Sequence, residues 1–232
     1  YVKPSIVNAG LIKVNDNFSI NNFDMIIEPN LNTGKQETYT NSLGETYMFV
    51  VNETYLDVKG TLSVSPTDNI IIKPTFTKGT SAEVYKLENA IVIGGQIKFL
   101  GSSTNIKSGS LTWDVVPIEN STGYDIYAQK IAYDNFTSGL WYEDFGRALD
   151  EKYLTPLEEK NRKEMFEKID MIEKESDFRH VMASLAGNVY ANMNQREEDT
   201  ARVLENSLDL LENSTNNTKE NVKVNIIAGK GK

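Results

Sequence analysis

Hydrophobic and polar residues follow two different patterns, and the pattern changes near residue 132. Before that point, short runs alternate apolar and polar side chains and are separated by Gly, Pro, Asn and Asp, which predicts β-strands joined by turns. The prolines of this half lie at predicted strand ends, where a missing backbone donor costs least. The predicted strands are 11–14, 25–28, 46–51, 55–58, 70–73, 83–87, 90–93 and 123–132.

A short glycine motif recurs in the strand-rich half. A glycine is followed, at every second position, by two apolar residues, as in Gly60, Leu62 and Val64. The motif begins at Gly10, Gly60, Gly95 and Gly109. A glycine corner between two short strands is typical of a β-solenoid, and it also fits a β-sandwich whose turns contain glycine.

From Tyr133 onward the apolar residues adopt helical spacing. A first helix is predicted over 140–153, and a second starts at Thr155 as N-cap, followed by Pro156 and by Glu158 in a capping box. The third helix, over 178–211, interleaves small residues with its apolar stripe, which makes it slim enough to pack closely on a neighbour.

The last residues alternate again after a polar linker over 212–220. Val222, Val224 and Ile226 share one face of a predicted strand, and Lys223 and Asn225 share the other. This is the apolar-out, polar-in pattern of a membrane β-barrel strand. Since a lone strand cannot satisfy its backbone, we expect the chain to be part of a longer protein that continues with strands.

Composition narrows the classes of function. The net charge of -9 argues against nucleic acid as a partner, and the absence of cysteine excludes disulfides and thiolate metal sites. The one histidine, His180, cannot build an imidazole cluster, and no phosphate loop, nucleophile elbow or metal-ligand spacing occurs. No apolar run is long enough for a transmembrane helix. We therefore expect no enzymatic activity, no cofactor and no metal.

Residues 184–191, which read Ser-Leu-Ala-Gly-Asn-Val-Tyr-Ala, together with the strand over 221–229, resemble the junction between passenger and translocator in Gram-negative type V autotransporters. Residues 111–117 and 124–133 resemble the end of the passenger in the large autotransporter adhesins of fusobacteria. The resemblance implies an α+β chain, mainly β in its N-terminal half. The end of a right-handed parallel β-helix with an autochaperone-like cap (1–133) comes first, followed by a helical segment (134–175) and a pore or linker helix (176–213). A linker and the start of the first barrel strand (214–232) come last.

The same resemblance assigns roles to residues and partners. It places Trp113, Tyr124, Tyr127 and Tyr133 in the autochaperone core, and it places Leu185, Ala186, Gly187, Ala191, Val222, Val224 and Ile226 in the linker helix and first barrel strand. The implied function is the membrane-proximal stem of an exported outer-membrane adhesin that nucleates passenger folding. The implied partners are the protein's own barrel, the outer-membrane assembly machinery and a receptor on host or bacterial cells, and a dimer through exposed helices is a further possibility. The alternative is a β-domain that itself binds a glycan or protein.

Overall fold

The computed structural model describes residues 3–31, 35–41, 44–75, 83–99, 105–153 and 160–215. The chain divides into two compact units, Tyr1–Met182 and Ala183–Lys232. In the described residues the strands are β1 (Ser5–Asn8), β2 (Ile12–Val14), β3 (Phe18–Ile20), β4 (Asp24–Ile27), β5 (Lys35–Asn41), β6 (Gly44–Val51), β7 (Leu56–Val58), β8 (Leu62–Val64), β9 (Ile70–Ile72), β10 (Val84–Ile93), β11 (Ile97–Phe99), β12 (Ile106–Ser108), β13 (Trp113–Glu119) and β14 (Gly123–Lys130). The helices are α1 (Asp134–Thr137), α2 (Glu143–Tyr153), α3 (Lys160–Asp170) and α4 (Glu175–Thr215).

Short parallel strands stack aliphatic side chains in register. One sheet has the order β1-β4-β9-β12 and another the order β11-β8-β3, and all of their pairs are parallel. Met25, Ile70 and Ile106 are aligned across three strands of the first sheet, and each is buried. Buried and half-buried side chains alternate along β4, β8 and β9, which fixes this register because a slip of one residue would turn the aliphatic groups outward.

The largest sheet is mixed, which corrects the predicted fold class. Its strands follow the order β13-β14-β10-β6-β5, and β7 pairs with β10 and with β2. Antiparallel pairing joins β5 to β6, β10 to β14 and β13 to β14. By contrast, β10 and β6 are parallel. The prediction that this half is the end of a right-handed parallel β-helix is therefore wrong. The strands form sandwich-like mixed sheets, because antiparallel hairpins occur beside the short parallel strands.

Two predicted strands are one continuous strand. The segments 83–87 and 90–93 both belong to β10, which changes register between Leu87 and Ile91. Asn89, between them, has a positive φ of 54°, and its backbone N–H donates to Asp125 Oδ1 at 2.8 Å. An asparagine tolerates this backbone conformation better than most residues, so the sequence signal for a break in fact marks a β-bulge.

At Gly60 and Gly95 the glycine motif marks a place where two backbones approach closely. The N–H of Gly95 donates to the carbonyl of Gly60 at 3.0 Å, and a Cβ on Gly95 would lie 2.7 Å from that oxygen. A Cβ on Gly60 would lie 2.5 Å from Asn17 Oδ1. Glycine is required at these corners because any side chain would collide with the adjacent backbone or side chain.

The helices of the first unit pack beside the last strands. The predicted helix over 140–153 is confirmed as α2, and α1 precedes it. The predicted start of the second helix, Thr155, Pro156 and Glu158, lies outside the described residues. The backbone N–H of Leu111 donates to the carbonyl of Ile172 at 2.8 Å, which joins the segment before β13 to the segment after α3. The predicted third helix is confirmed as α4, and residues 183–215 of α4 are the described part of the second unit.

Candidate functional site

The buried carboxylate of Asp170 accepts four side-chain hydrogen bonds. Its Oδ1 accepts hydrogen bonds from Thr112 Oγ1 at 2.6 Å and from the Tyr133 hydroxyl at 2.8 Å. Its Oδ2 accepts from Trp113 Nε1 at 3.1 Å and from the Tyr153 hydroxyl at 2.7 Å. We call Asp170 with these four donors and Lys130 the Asp170 cluster.

The Asp170 cluster joins elements that are far apart in the sequence. Trp113 begins β13, Tyr133 directly precedes α1, Tyr153 ends α2 and Asp170 ends α3. A hydrogen bond to a charged group stabilises a fold by about 1.5–3 kcal/mol, and removing one partner from a buried group costs the full desolvation penalty of what is left. Asp170 therefore fixes how the helices of this unit meet the sheet.

Aromatic rings surround the Asp170 cluster. The ring of Tyr133 stacks on Phe166 with centroids 6.1 Å apart and an interplanar angle of 2°, and on Phe178 at 5.9 Å and 26°. Tyr153 meets both Tyr133 and Phe166 edge-on, at 5.9 Å and 5.1 Å. Burial raises the pKa of the Tyr133 hydroxyl well above its usual value, and the nearby Asp170 acts in the same direction. Tyr133 is consequently a hydrogen-bond donor and not an acid at any ordinary pH.

Lys130 brings a cation to the Asp170 cluster. Its Nζ lies 3.8 Å from Asp170 Oδ1 and 3.7 Å from the centroid of the Tyr133 ring, and it donates to the carbonyl of Ile131 at 2.6 Å. The side chain is only 5% exposed. Burial lowers the pKa of the Lys130 amine, although Asp170 and Asp150 act in the opposite direction.

A second carboxylate, Asp150, holds the start of α1. It accepts hydrogen bonds from the backbone N–H groups of Tyr133 at 2.7 Å and Asp134 at 2.9 Å. Burial raises the pKa of Asp150, while these backbone donors and Lys130 oppose the shift.

A pocket of about 440 Å³ opens beside the Asp170 cluster. The polar and charged residues that line it include Glu83, Asp114, Gln129, Lys130, Asn135 and Asp150. Within the described ranges, no group of three or more His, Asp or Glu side chains is arranged to hold a metal ion.

The predicted autochaperone residues do not form one cluster. Trp113 and Tyr133 are buried and both donate to Asp170. Tyr124 is also buried, but its ring meets Phe99 edge-on at 6.2 Å. Tyr127 is half-buried and packs against a separate cluster that consists of Met48, Val50 and Val84. The alternation along β14 places these tyrosines on opposite faces of the sheet.

The predicted linker residues lie on α4 or beyond the described chain. Ala186 is buried, Leu185 and Gly187 are half-buried, and Ala191 is exposed. Val222, Val224 and Ile226 lie outside the described residues. In the part of the chain that the structure describes, no helix is long and apolar enough to cross a membrane.

The sequence analysis missed four members of the Asp170 cluster, namely Thr112, Lys130, Tyr153 and Asp170. One signal for Asp170 was present, because a carboxylate in the last turn of a helix faces the negative end of the helix dipole and is unfavourable there. Such a residue, placed directly after the buried Ile169, needs donors from elsewhere in the fold.

Comparison with known proteins gives one match. A family model described as the BigA β-sandwich domain matches residues 44–132, which run from the start of β6 to just past the end of β14. No curated protein matches the chain, and no solved structure does. The match replaces the predicted β-helix with a β-sandwich, and it is not specific for fusobacterial autotransporters. Over residues 44–132 the chain is therefore similar to this β-sandwich domain.

Proposed function

We propose that the chain is the membrane-proximal stem and autochaperone segment of a cell-surface autotransporter adhesin, exported through the periplasm to the outer membrane. In this proposal the Asp170 cluster stabilises the first unit, and α4 connects it to the membrane-bound part of the protein. The protein's own barrel, the outer-membrane assembly machinery and a receptor on host or bacterial cells are the proposed partners. No catalytic step, cofactor, metal or nucleic acid is part of the proposal.

The observation that carries the proposal is the burial of Asp170 under donors from the sheet and the helices. A segment that folds first outside the cell must be stable without the strands that emerge later. The Asp170 cluster supplies such local stability, because its four hydrogen bonds to Asp170 all join residues within 112–170. A stable C-terminal segment would then prevent the exported chain from sliding back.

The substitution Trp113→Ala in the full-length protein tests the proposal. It removes a fully buried ring and one donor to Asp170, so we expect a loss of about 3–5 kcal/mol in the free energy of unfolding. Surface display of the passenger should fall, as measured by antibody labelling and protease resistance on intact cells, while the amount of barrel in the membrane stays the same. Normal display and normal protease resistance would contradict the proposal.

Trp141→Ala is the matched control. Trp141 precedes α2 and is 65% exposed, so the same change in side-chain volume removes little buried surface. We expect display of this variant to equal that of the unmodified protein. Equal loss of display in both variants would mean that tryptophan content, and not the Asp170 cluster, determines export.

A second candidate function, direct binding of a protein ligand by the β-domain, is favoured by one observation. A pocket of about 430 Å³ on the face of the largest sheet is lined by Val84, Val116, Ile118, Tyr127 and Gln129, and Val116 and Ile118 are about half exposed. Aliphatic surface of this kind suits a protein ligand better than a glycan. Saturable binding by the isolated chain that Ile118→Lys abolishes would favour this function over a purely structural stem.

A further inference from the structure

An apolar patch lies on the outer face of the hairpin that β13 and β14 form. Val116 and Ile118 of β13 alternate with more buried residues and are 45% and 47% exposed. Tyr127 of β14 is aligned with Val116, and Val84 of β10 lines the same pocket of about 430 Å³. We call these four residues the outer patch. Half-exposed aliphatic side chains grouped around a pocket are typical of a surface that binds another protein.

Carboxylates outnumber cations on the same face of the sheet. Alternation along β13 places Asp114 on this face, and the register of β14 places Asp125 there. Lys86 Nζ lies 3.6 Å from Asp125 Oδ2 and 3.5 Å from Glu88 Oε1, so one ammonium group serves two carboxylates. Asp114 is exposed and forms no ion pair with any described residue. The face therefore keeps a net negative charge beside the outer patch.

We propose that the outer patch binds a basic amphipathic helix of a protein partner. The apolar stripe of that helix covers the patch, and its Lys or Arg side chains lie beside Asp114, Asp125 and Glu88. The inference rests on the second candidate function, direct binding of a protein ligand, and it names the chemistry of that ligand. Complementary charge selects the partner, and burial of the aliphatic groups supplies the affinity.

A helix fits the outer patch better than an added strand does. A strand would pair with the backbone edge of β13, where Pro117 has no N–H and the N–H of Val115 already donates to Asp114 Oδ1 at 3.0 Å. A helix docks through side chains and needs no free backbone group. Val116 and Ile118 are two positions apart on a strand, which is about 6.6 Å. Residues four positions apart on a helix are separated by about 6 Å along its axis, so such a pair matches them.

Charge argues against a second copy of this chain as the occupant. The longest helix of the described residues is α4, and its part in the second unit, 183–215, carries two arginines and six carboxylates. An acidic helix on an acidic face would bring like charges together, which costs free energy. The outer patch is therefore assigned to a different protein.

Binding of two matched synthetic peptides to the purified 232-residue chain tests the proposal. One peptide has leucine and lysine at helical spacing over about 18 residues, and the other has glutamate in place of every lysine. We expect fluorescence anisotropy to show saturable binding of the lysine peptide, at least about tenfold tighter than that of the glutamate peptide. The affinity should fall as the salt concentration rises from about 0.05 M to about 0.5 M, because salt screens the charges.

Three variants locate the binding of the lysine peptide. Val116→Thr keeps the shape of the side chain but makes it polar, so we expect binding to weaken at least about fivefold. Asp114→Asn removes one charge and keeps the oxygen that accepts the next backbone N–H, so binding should weaken about two- to fivefold. Asp16→Asn is the matched control, because Asp16 is also exposed and also accepts the next backbone N–H, at 2.7 Å, but lies between β2 and β3. It should bind the peptide as the unmodified chain does.

Three results would contradict the proposal. Equal weakening in Asp16→Asn and Asp114→Asn would assign the binding to the net charge of the chain and not to the outer patch. Equal affinity for both peptides, weakened by Val116→Thr, would leave direct binding in place but would remove the requirement for a basic partner. Binding of neither peptide overturns the basic helix as ligand. Failure of the direct-binding function itself is seen separately, when Ile118→Lys leaves the binding of a protein ligand unchanged.

Discussion

At the scale of single residues, Asp68 is a further carboxylate that the fold buries completely. Lys3 Nζ lies 2.5 Å from Asp68 Oδ1 and 2.7 Å from Asp24 Oδ1. The backbone N–H of Asn22 donates to Asp68 Oδ2 at 2.7 Å. The hydrogen bond from Lys3 holds the pKa of Asp68 below its ordinary value of 3.8. Burial acts to raise the pKa of Asp24, but hydrogen bonds from Lys3 and Asn69 outweigh it, so this pKa is lowered too.

These shifts predict how Lys3→Met changes the dependence of stability on pH. Lowered carboxyl pKa values contribute stability that is present above about pH 4 and is lost as the pH falls through them. The raised pKa of Lys3 contributes stability below 10.5 that is lost at higher pH. At pH 7 the variant should lose about 1–3 kcal/mol in urea unfolding, because buried Asp68 loses its counter-ion. The difference from wild type should shrink below pH 4 and above pH 10.5.

Lys13→Met is the control for this prediction, since Lys13 is an exposed lysine on β2. It should leave unfolding free energy within about 0.5 kcal/mol of wild type across the pH range. A Lys3→Met difference that stays constant from pH 3 to pH 9 would show that the ion pairs with Asp24 and Asp68 do not stabilise the fold.

Single-residue roles could be predicted only where a local pattern exists. The burial of Trp113 and Tyr133 follows from large aromatic side chains in an apolar context. The role of Asp170 does not, because its four donors precede it by 17 to 58 positions. No spacing in the chain relates such residues, and they come together only when strands and helices pack.

At the scale of elements, the edge strand β13 is protected from pairing with other strands. The backbone N–H of Ile131 donates to the carbonyl of Thr112, and the N–H of Asn120 donates to the carbonyl of Gly123. Hydrogen-bonded and non-hydrogen-bonded pairs alternate along an antiparallel hairpin. The backbone groups of the residues between, Trp113, Val115, Pro117 and Glu119, therefore point away from β14. Pro117 has no N–H, the N–H of Val115 donates to Asp114 Oδ1, and the carbonyl of Trp113 accepts from Ser108. These three features make the edge a poorer template for another strand.

The glycine corners give a prediction about two matched substitutions. A Cβ on Gly95 would lie 2.7 Å from the carbonyl oxygen of Gly60, and the backbone there cannot move without breaking its own hydrogen bond. We expect Gly95→Ala to reduce the free energy of unfolding by about 1–3 kcal/mol. Gly10 begins the same motif, but a Cβ there meets nothing within 4 Å.

Gly10→Ala should therefore leave stability unchanged within about 1 kcal/mol or raise it slightly, because alanine restricts the unfolded chain. Both variants are compared with wild type by urea unfolding followed by tyrosine and tryptophan fluorescence. If the two variants lose equal stability, then the motif itself, and not the close approach of Gly60 and Gly95, determines the need for glycine.

Alternation and helical spacing predict most elements but not their partners. The strands β4, β6, β9 and β14 and the helix α2 lie within a few residues of their predicted positions, because each carries its own periodic pattern. The parallel or antiparallel sense of a pair depends on where the connecting chain leads. Short parallel strands at glycine corners predict a β-helix, and the antiparallel pairs of β10, β13 and β14 overturn it.

At the scale of the whole molecule, the strand-rich part depends on the helices that follow it. The family match ends at residue 132, whereas Tyr133, Tyr153 and Asp170 lie after that point. These residues cover Trp113 and Thr112, and the first compact unit accordingly extends to Met182. Sequence similarity thus defines a segment shorter than the unit that packs together.

This difference predicts the behaviour of two shortened chains. A chain that ends at Met182 keeps the Asp170 cluster, so we expect one cooperative urea transition with wild-type tryptophan fluorescence. A chain that ends at residue 153 keeps the described strands, α1 and α2 but lacks Asp170, Phe166 and Phe178, so the Trp113 N–H and the Tyr133 hydroxyl lose their acceptor. It should unfold at much lower urea or aggregate, since unpaired buried donors and exposed rings each cost about 1–3 kcal/mol. Equal stability of the two chains would mean that the sheets fold independently of the Asp170 cluster.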